Sequence, residues 1–192
     1  MTTPAVALPR TLVPQRSRLL DVVFVVGAAG LIALSAQISI ALPFTPVPIT
    51  GQTFAVLLSG AALGLARGGA AGGLYVLLGI AGLPVYAGGD HGWSVVTGAS
   101  GGYLVAYPLA AALVGLLAER GWDRSFSSAI GAMLTGNVVI YAIGLPWLAA
   151  VLHTSLERTL ELGLYPFVVG DLVKLYLAGA ALPLAWRLVR RG

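Results

Sequence analysis

Between Asp21 and Arg67 the chain carries no formal charge, and this run constrains the fold more than any other feature. It is long enough for two bilayer spans of about 20 residues each. Its middle cannot continue a helix. The segment Leu42-Pro43-Phe44-Thr45-Pro46-Val47-Pro48-Ile49-Thr50-Gly51 holds three prolines, and each removes a backbone donor and restricts the residue before it. The pattern predicts a helix over 19–40, a stiff proline connector and a second helix over 52–66.

Only 9% of the 192 residues are charged and 58% are hydrophobic, against the roughly 25% charge of a soluble domain. With a mean hydropathy of +0.92, the chain has too few charges to coat a globule in water. A membrane protein with all-α architecture is the consequence, because lipid leaves no solvent for unpaired backbone groups. A third apolar stretch over 68–83 is short and rich in glycine (Gly68, Gly69, Gly72, Gly73, Gly79, Gly82), which lets helix backbones approach closely. Further helices are expected over 102–118, 127–150 and 168–189, with a glycine-rich loop from Ala87 to Gly102. No internal repeat divides the chain, so a tail over 1–18 and a single six-helix domain over 19–192 are expected. The first span is too long and too far from the start for a secretory signal.

The net charge of +4 does not imply nucleic acid, since the arginines sit at the ends of apolar segments and not on a basic face with aromatics between. Placing both termini inside puts Arg10, Arg16, Arg18, Arg67, Arg120, Arg124, Arg187, Arg190 and Arg191 on the cytoplasmic side, and only Arg158 and Lys174 outside. That asymmetry favours an even number of spans, six by this reading, in the cytoplasmic membrane. There is no cysteine, hence no thiolate metal site, and His91 and His153 have no acidic ligand pattern beside them. No metal and no cofactor are expected. Neither a P-loop nor an H-E-x-x-H or G-x-S-x-G motif occurs, so the chain is expected to bind no ATP by that route and to be no enzyme.

Lys174, the single lysine, follows Asp171 by three residues and shares its helix face. The pair is either an intrahelical ion pair or the polar element of a ligand site, since charge near the hydrocarbon is a functional candidate. Asn137 and Tyr141, four apart within one span, are either interhelical glue or pocket contacts. Gln52 and Thr53 follow the proline segment. Tyr86, Trp93 and Tyr103 are interfacial belt aromatics or stacking surfaces for a flat ligand. Ala29 and Ala33 place two small side chains one above the other on helix 1.

These motifs together resemble one family. Pro43-Phe44-Thr45-Pro46-Val47-Pro48-Ile49-Thr50-Gly51-Gln52-Thr53, Leu77 to Gly89, Gly101-Gly102-Tyr103-Leu104, Gly136-Asn137-Val138-Val139-Ile140-Tyr141 with Pro146-Trp147-Leu148, and Pro166-Phe167 with Gly170-Asp171-Leu172-Val173-Lys174 are similar, in order, to the blocks of the BioY family. Those are the biotin-specific capture subunits of energy-coupling-factor transporters. One departure is Thr97-Gly98-Ala99-Ser100, where the family pattern has Gly-Pro-Thr. The resemblance implies a six-helix subunit that holds biotin near the outer surface, with Asp171, Lys174, Asn137, Tyr141, Gln52, Tyr103 and Tyr86 as binding residues. It further implies docking through Ala29 and Ala33 to a transmembrane coupling protein served by two cytoplasmic ATPase subunits. Within the same architecture, another small vitamin is the alternative ligand.

The orientation is testable directly. Cysteines introduced at Ser17 and Arg190 are expected to react with impermeant reagents only after the cytoplasmic side is opened; labelling of either in intact cells overturns the assignment.

Overall fold

The structure, a computed structural model, describes residues 17–189. Arg10, Arg16, Arg190 and Arg191, four of the expected inner arginines, lie outside them. The first helix, α1 (Arg18–Ala36), stops at Ala36 and not near 40. The chain then forms an antiparallel hairpin, β1 (Ser39–Leu42) with β2 (Thr45–Thr50), in which Ser39 faces Thr50 and Ile40 faces Ile49. The proline connector is therefore a strand. Pro46 and Pro48 are tolerated because each strand of a two-stranded ribbon is an edge and needs donors on one side only.

Helix α2 (Gln52–Leu63) and helix α3 (Leu65–Ile80) meet at Gly64, whose φ of 85° and ψ of −179° suit glycine alone. The chain reverses there with a single residue between the helices. A short helix α4 (Trp93–Thr97) interrupts the expected glycine loop. Helices α5 (Gly101–Glu119) and α6 (Phe126–Leu152) agree closely with expectation, the latter opened by Ser125, whose hydroxyl accepts from the Ser128 N–H. A further short helix, α7 (Leu156–Gly163), precedes α8 (Val168–Val189).

Among the described residues, four helical stretches are long and apolar enough to cross a bilayer: Arg18–Ala36, Gly101–Glu119, Phe126–Leu152 and Leu156–Leu188, the last running through α7 and α8. α2 and α3 are apolar but shorter. The most buried of these helices is α5: 61% of its apolar window is enclosed, against 17% for α1 at the periphery. Around α5 the backbones touch. A Cβ on Gly60 of α2 would fall on the Ala111 carbonyl of α5, one on Gly68 would lie 2.7 Å from the Gly60 Cα, and one on Gly72 would lie 3.1 Å from Pro108. The glycine-rich third span thus packs as small residues in lipid do.

Charges gather at one end. Asp21 pairs with Arg67 at 2.5 Å, the Leu65 N–H donates to Glu119, and Arg124 stacks on the Trp186 ring, whose N–H donates to Asp123. These contacts hold the starts of α1 and α3, the end of α5, the α5–α6 turn and the end of α8 together.

Ala29 is 1% exposed and packs into the core, with Ala33 partly buried beside it, so the face of α1 that carries this pair meets the bundle. The reason lies in helix phase: Ile32 and Ala36 are buried on the same side, while Val22, Val26 and Leu34 are exposed and a Cβ on Gly27 or Gly30 would meet nothing. Ala29→Trp is accordingly expected to overpack the α1 contact, costing about 1–3 kcal/mol and lowering the unfolding temperature in detergent. Gly30→Trp should leave it near the parent value; equal stability of the two variants contradicts this packing.

Candidate functional site

The end of the bundle opposite the arginines is hollow. A cavity of about 140 Å³ opens between the hairpin, the starts of α2, α5 and α8, and the outer half of α6. Asp171, Lys174, Asn137, Tyr141, Gln52, Tyr103 and Tyr86 all line it. Segments far apart in sequence converge here because α2, α5 and α8 begin at this end and α3 and α6 approach it with their C-terminal halves.

Asp171 and Lys174 share one face of α8, with 3.2 Å between Nζ and Oδ1. The Tyr141 hydroxyl donates to Oδ2 at 2.5 Å, and Nζ also donates to Thr53 Oγ1 at 2.8 Å. Mutual pairing offsets the cost of taking both charges out of water. Neither group is saturated: an ionised carboxylate accepts about four hydrogen bonds and an ammonium donates three, so Asp171 can still accept and Lys174 can donate once more.

Asn137, 6% exposed, has no hydrogen-bond partner among the described residues. Its amide borders the cavity, so its hydrogen-bonding groups are open to whatever fills that space. Gln52 is committed differently. Its Oε1 accepts from Thr50 Oγ1 at 2.9 Å and from the Tyr107 hydroxyl at 3.3 Å, and its Nε2 donates to the Tyr75 hydroxyl.

Two tyrosines serve as walls. The Tyr86 hydroxyl donates to the Val76 carbonyl at 2.7 Å, and the ring lies where a Cβ on Gly79 would be. The Tyr103 hydroxyl donates to the Gly163 carbonyl at 2.9 Å, with its ring against Gly144. Both therefore offer ring surface to the cavity and keep their polar ends in the protein. Trp93 stands outside, 64% exposed, as a belt residue would. Ser100, at the departure from the family pattern, lines the cavity.

Several contributors escaped the sequence reading. Tyr107 lies one turn after Tyr103 on α5, a four-residue spacing that could have signalled a shared face. Phe167 and Asp90 also line the wall. The hairpin covers the site, fastened to α7 by a bond from Thr45 Oγ1 to the Leu162 carbonyl at 2.7 Å; nothing local in the sequence joins those positions. The site holds donors, acceptors and aromatic surface, an arrangement that binds.

Comparison with known proteins bears on what it binds. The model of the BioY family matches residues 10–191. The biotin transporter BioY of Thermotoga maritima is 42% identical over 149 residues, covering 78% of this chain and 85% of that protein. The probable biotin transporter BioY of Pyrococcus horikoshii is 39% identical over 159 residues, covering 83% and 90%. Among solved structures, the S-component for biotin from an ECF-type ABC transporter superposes with a TM-score of 0.80 at 26% identity, over 93% of this chain and 96% of that one.

Proposed function

The chain belongs to the BioY family, and from that premise we propose that the outer cavity is its biotin site. The protein is the substrate-binding subunit of a biotin uptake system, a transporter component and not an enzyme. The observation that carries the assignment of the site is uncommitted hydrogen-bonding capacity facing one cavity: the open lone pairs of Asp171 and the partnerless amide of Asn137. Biotin offers a cyclic urea with two N–H donors and a carbonyl acceptor, an apolar sulfur ring and a carboxylate tail. Asp171 accepts from the urea, Asn137 meets polar ring atoms, and the rings of Tyr86, Tyr103 and Tyr107 enclose the apolar part. Of the two roles open to Lys174, holding Asp171 in place is the one its bonds to Asp171 and Thr53 support.

Six spans with both termini cytoplasmic complete the reading, with the shorter apolar helices α2 and α3 counted as the second and third spans beside α5. The arginine-rich end then meets the cytoplasm in the inner membrane, and the cavity opens outside. The chain uses no cofactor of its own. Energy comes from a transmembrane coupling protein and two cytoplasmic ATPase subunits. Docking through α1 falls to its outward face around Val26, Gly27 and Gly30, in place of the inward Ala29 and Ala33.

Loss of a charge-assisted contact costs about 1.5–3 kcal/mol. Lys174→Ala and Asp171→Ala should therefore each weaken biotin binding by about ten-fold or more, measured at equilibrium on detergent-purified protein. Thiamine and riboflavin serve as comparators. Parent-like affinity in both variants removes these residues from the site, and tighter binding of either comparator removes biotin as the ligand.

A further inference from the structure

Tyr75 on α3 does not line the cavity and is completely enclosed, 0% exposed. Its hydroxyl carries one hydrogen, directed at the Val85 carbonyl oxygen at 3.1 Å. The hydroxyl oxygen must then meet the Gln52 amide as an acceptor, which places the nitrogen end of that amide towards Tyr75. On the other side, Gln52 Oε1 takes hydrogen bonds from Thr50 and Tyr107. Which way an amide points is set by such a network, and the orientation present is the one that keeps all of these bonds together with the Tyr75–Val85 bond. Turned over, Gln52 would claim the single Tyr75 hydrogen and strip the Val85 carbonyl of the one donor it has among the described residues. Both acceptor directions of Oε1 are filled, and one Nε2 hydrogen is engaged. The second Nε2 hydrogen is what the amide has left for the cavity.

We infer that Tyr75 is a positioning residue for ligand recognition: through its hydroxyl it fixes Gln52 so that the amide offers the cavity an N–H donor and never a carbonyl. This wall then selects a ligand that brings an oxygen acceptor. The inference rests on the cavity being the biotin site, and biotin carries two such acceptors, the urea carbonyl and the carboxylate. Volume filling is a separate matter. The Tyr75 ring packs edge-on to Tyr86, with 5.7 Å between centroids, and tilted against Tyr107 at 6.3 Å, and Tyr75→Phe keeps that ring while removing only the hydroxyl.

The test is a double-mutant cycle read by equilibrium biotin binding. Tyr75→Phe alone should weaken binding about five- to ten-fold, the size of one neutral hydrogen bond. Added to Gln52→Ala, the same change should cost less than about two-fold, because no amide is left to orient. Against two analogues, one with the urea carbonyl replaced by an imine and one without the carboxylate, the Tyr75→Phe loss should vanish for the analogue missing the acceptor that Gln52 meets. That arm identifies which end of biotin lies at this wall. A misfolded variant would instead lose affinity equally for all three ligands. Equal loss in both backgrounds, equal loss for all three ligands, or parent-like binding by Tyr75→Phe each overturns the inference while leaving the biotin site standing. If the parent itself fails to bind biotin, the proposed site falls and the inference falls with it.

Discussion

Everything at the outer end depends on three helices meeting backbone to backbone at the middle of the bundle. In lipid the surroundings are as apolar as the side chains, so burying leucine between helices gains little and close van der Waals contact must do the work. Gly60, Gly68 and Gly72 give that contact by letting α2 and α3 lie directly on α5 at Ala111 and Pro108. A methyl group at Gly60 or Gly68 would force the backbones apart, and one at Gly72 would press on Pro108 at 3.1 Å. The separation would be felt above, because Gln52, Tyr75 and Tyr107 belong to those same three helices and their hydroxyls and amide sit within one network. Packing at the glycines thus bears on polar geometry from one to about two turns away.

The distribution of polar groups follows from the same solvent. Backbone at the hydrocarbon must be paired internally, and the proline-rich stretch after α1 cannot pair as a helix. Folding it into a ribbon with Ser39–Leu42 supplies partners for the donors that are left, and places it over the cavity with Pro46 and Pro48 on the wall. Arginine side chains collect at the opposite end, where Asp21, Glu119 and Asp123 accept from that end's donors. The outer end has charges of its own: Asp171 and Lys174 pair within the cavity, Asp90 stands on its wall, and Arg158 pairs with Glu161 on α7.

How legible this was in the sequence depended on whether the determining signal was local. Spans α5, α6 and α8 follow from hydropathy and length, and the Asp171–Lys174 pairing follows from a three-residue spacing on one helix. The resemblance to a family brought all seven cavity residues together, which spacing alone could not have done, since they sit on separate elements. The hairpin was not readable because three prolines argue against a strand unless both strands are known to be edges. The inward direction of Ala29 was not readable either. An A-x-x-x-A pattern gives two small residues one face, but which face meets the bundle depends on the phase of α1 against α3, a tertiary fact. Tyr75 is the strongest case: it looks like any buried tyrosine in a glycine-rich span until Val85 and Gln52 are seen on either side of its hydroxyl.

The cavity wall and α1 are separate parts of this fold that touch at the end of α1. α1 contributes no residue to the cavity wall, and its outward face is open. Its last turn nevertheless touches the wall: Gln37, which caps the helix, donates to the Tyr86 carbonyl at 3.2 Å and to the Ala33 carbonyl at 3.1 Å. The Tyr86 ring in turn packs on Gly79 and is held by Val76. The Tyr86 segment and the end of α1 are thus joined by a direct hydrogen bond. α1 is the least enclosed of the long apolar helices. By contrast α5, on which α2 and α3 pack at their glycines, is the most enclosed of the long apolar helices.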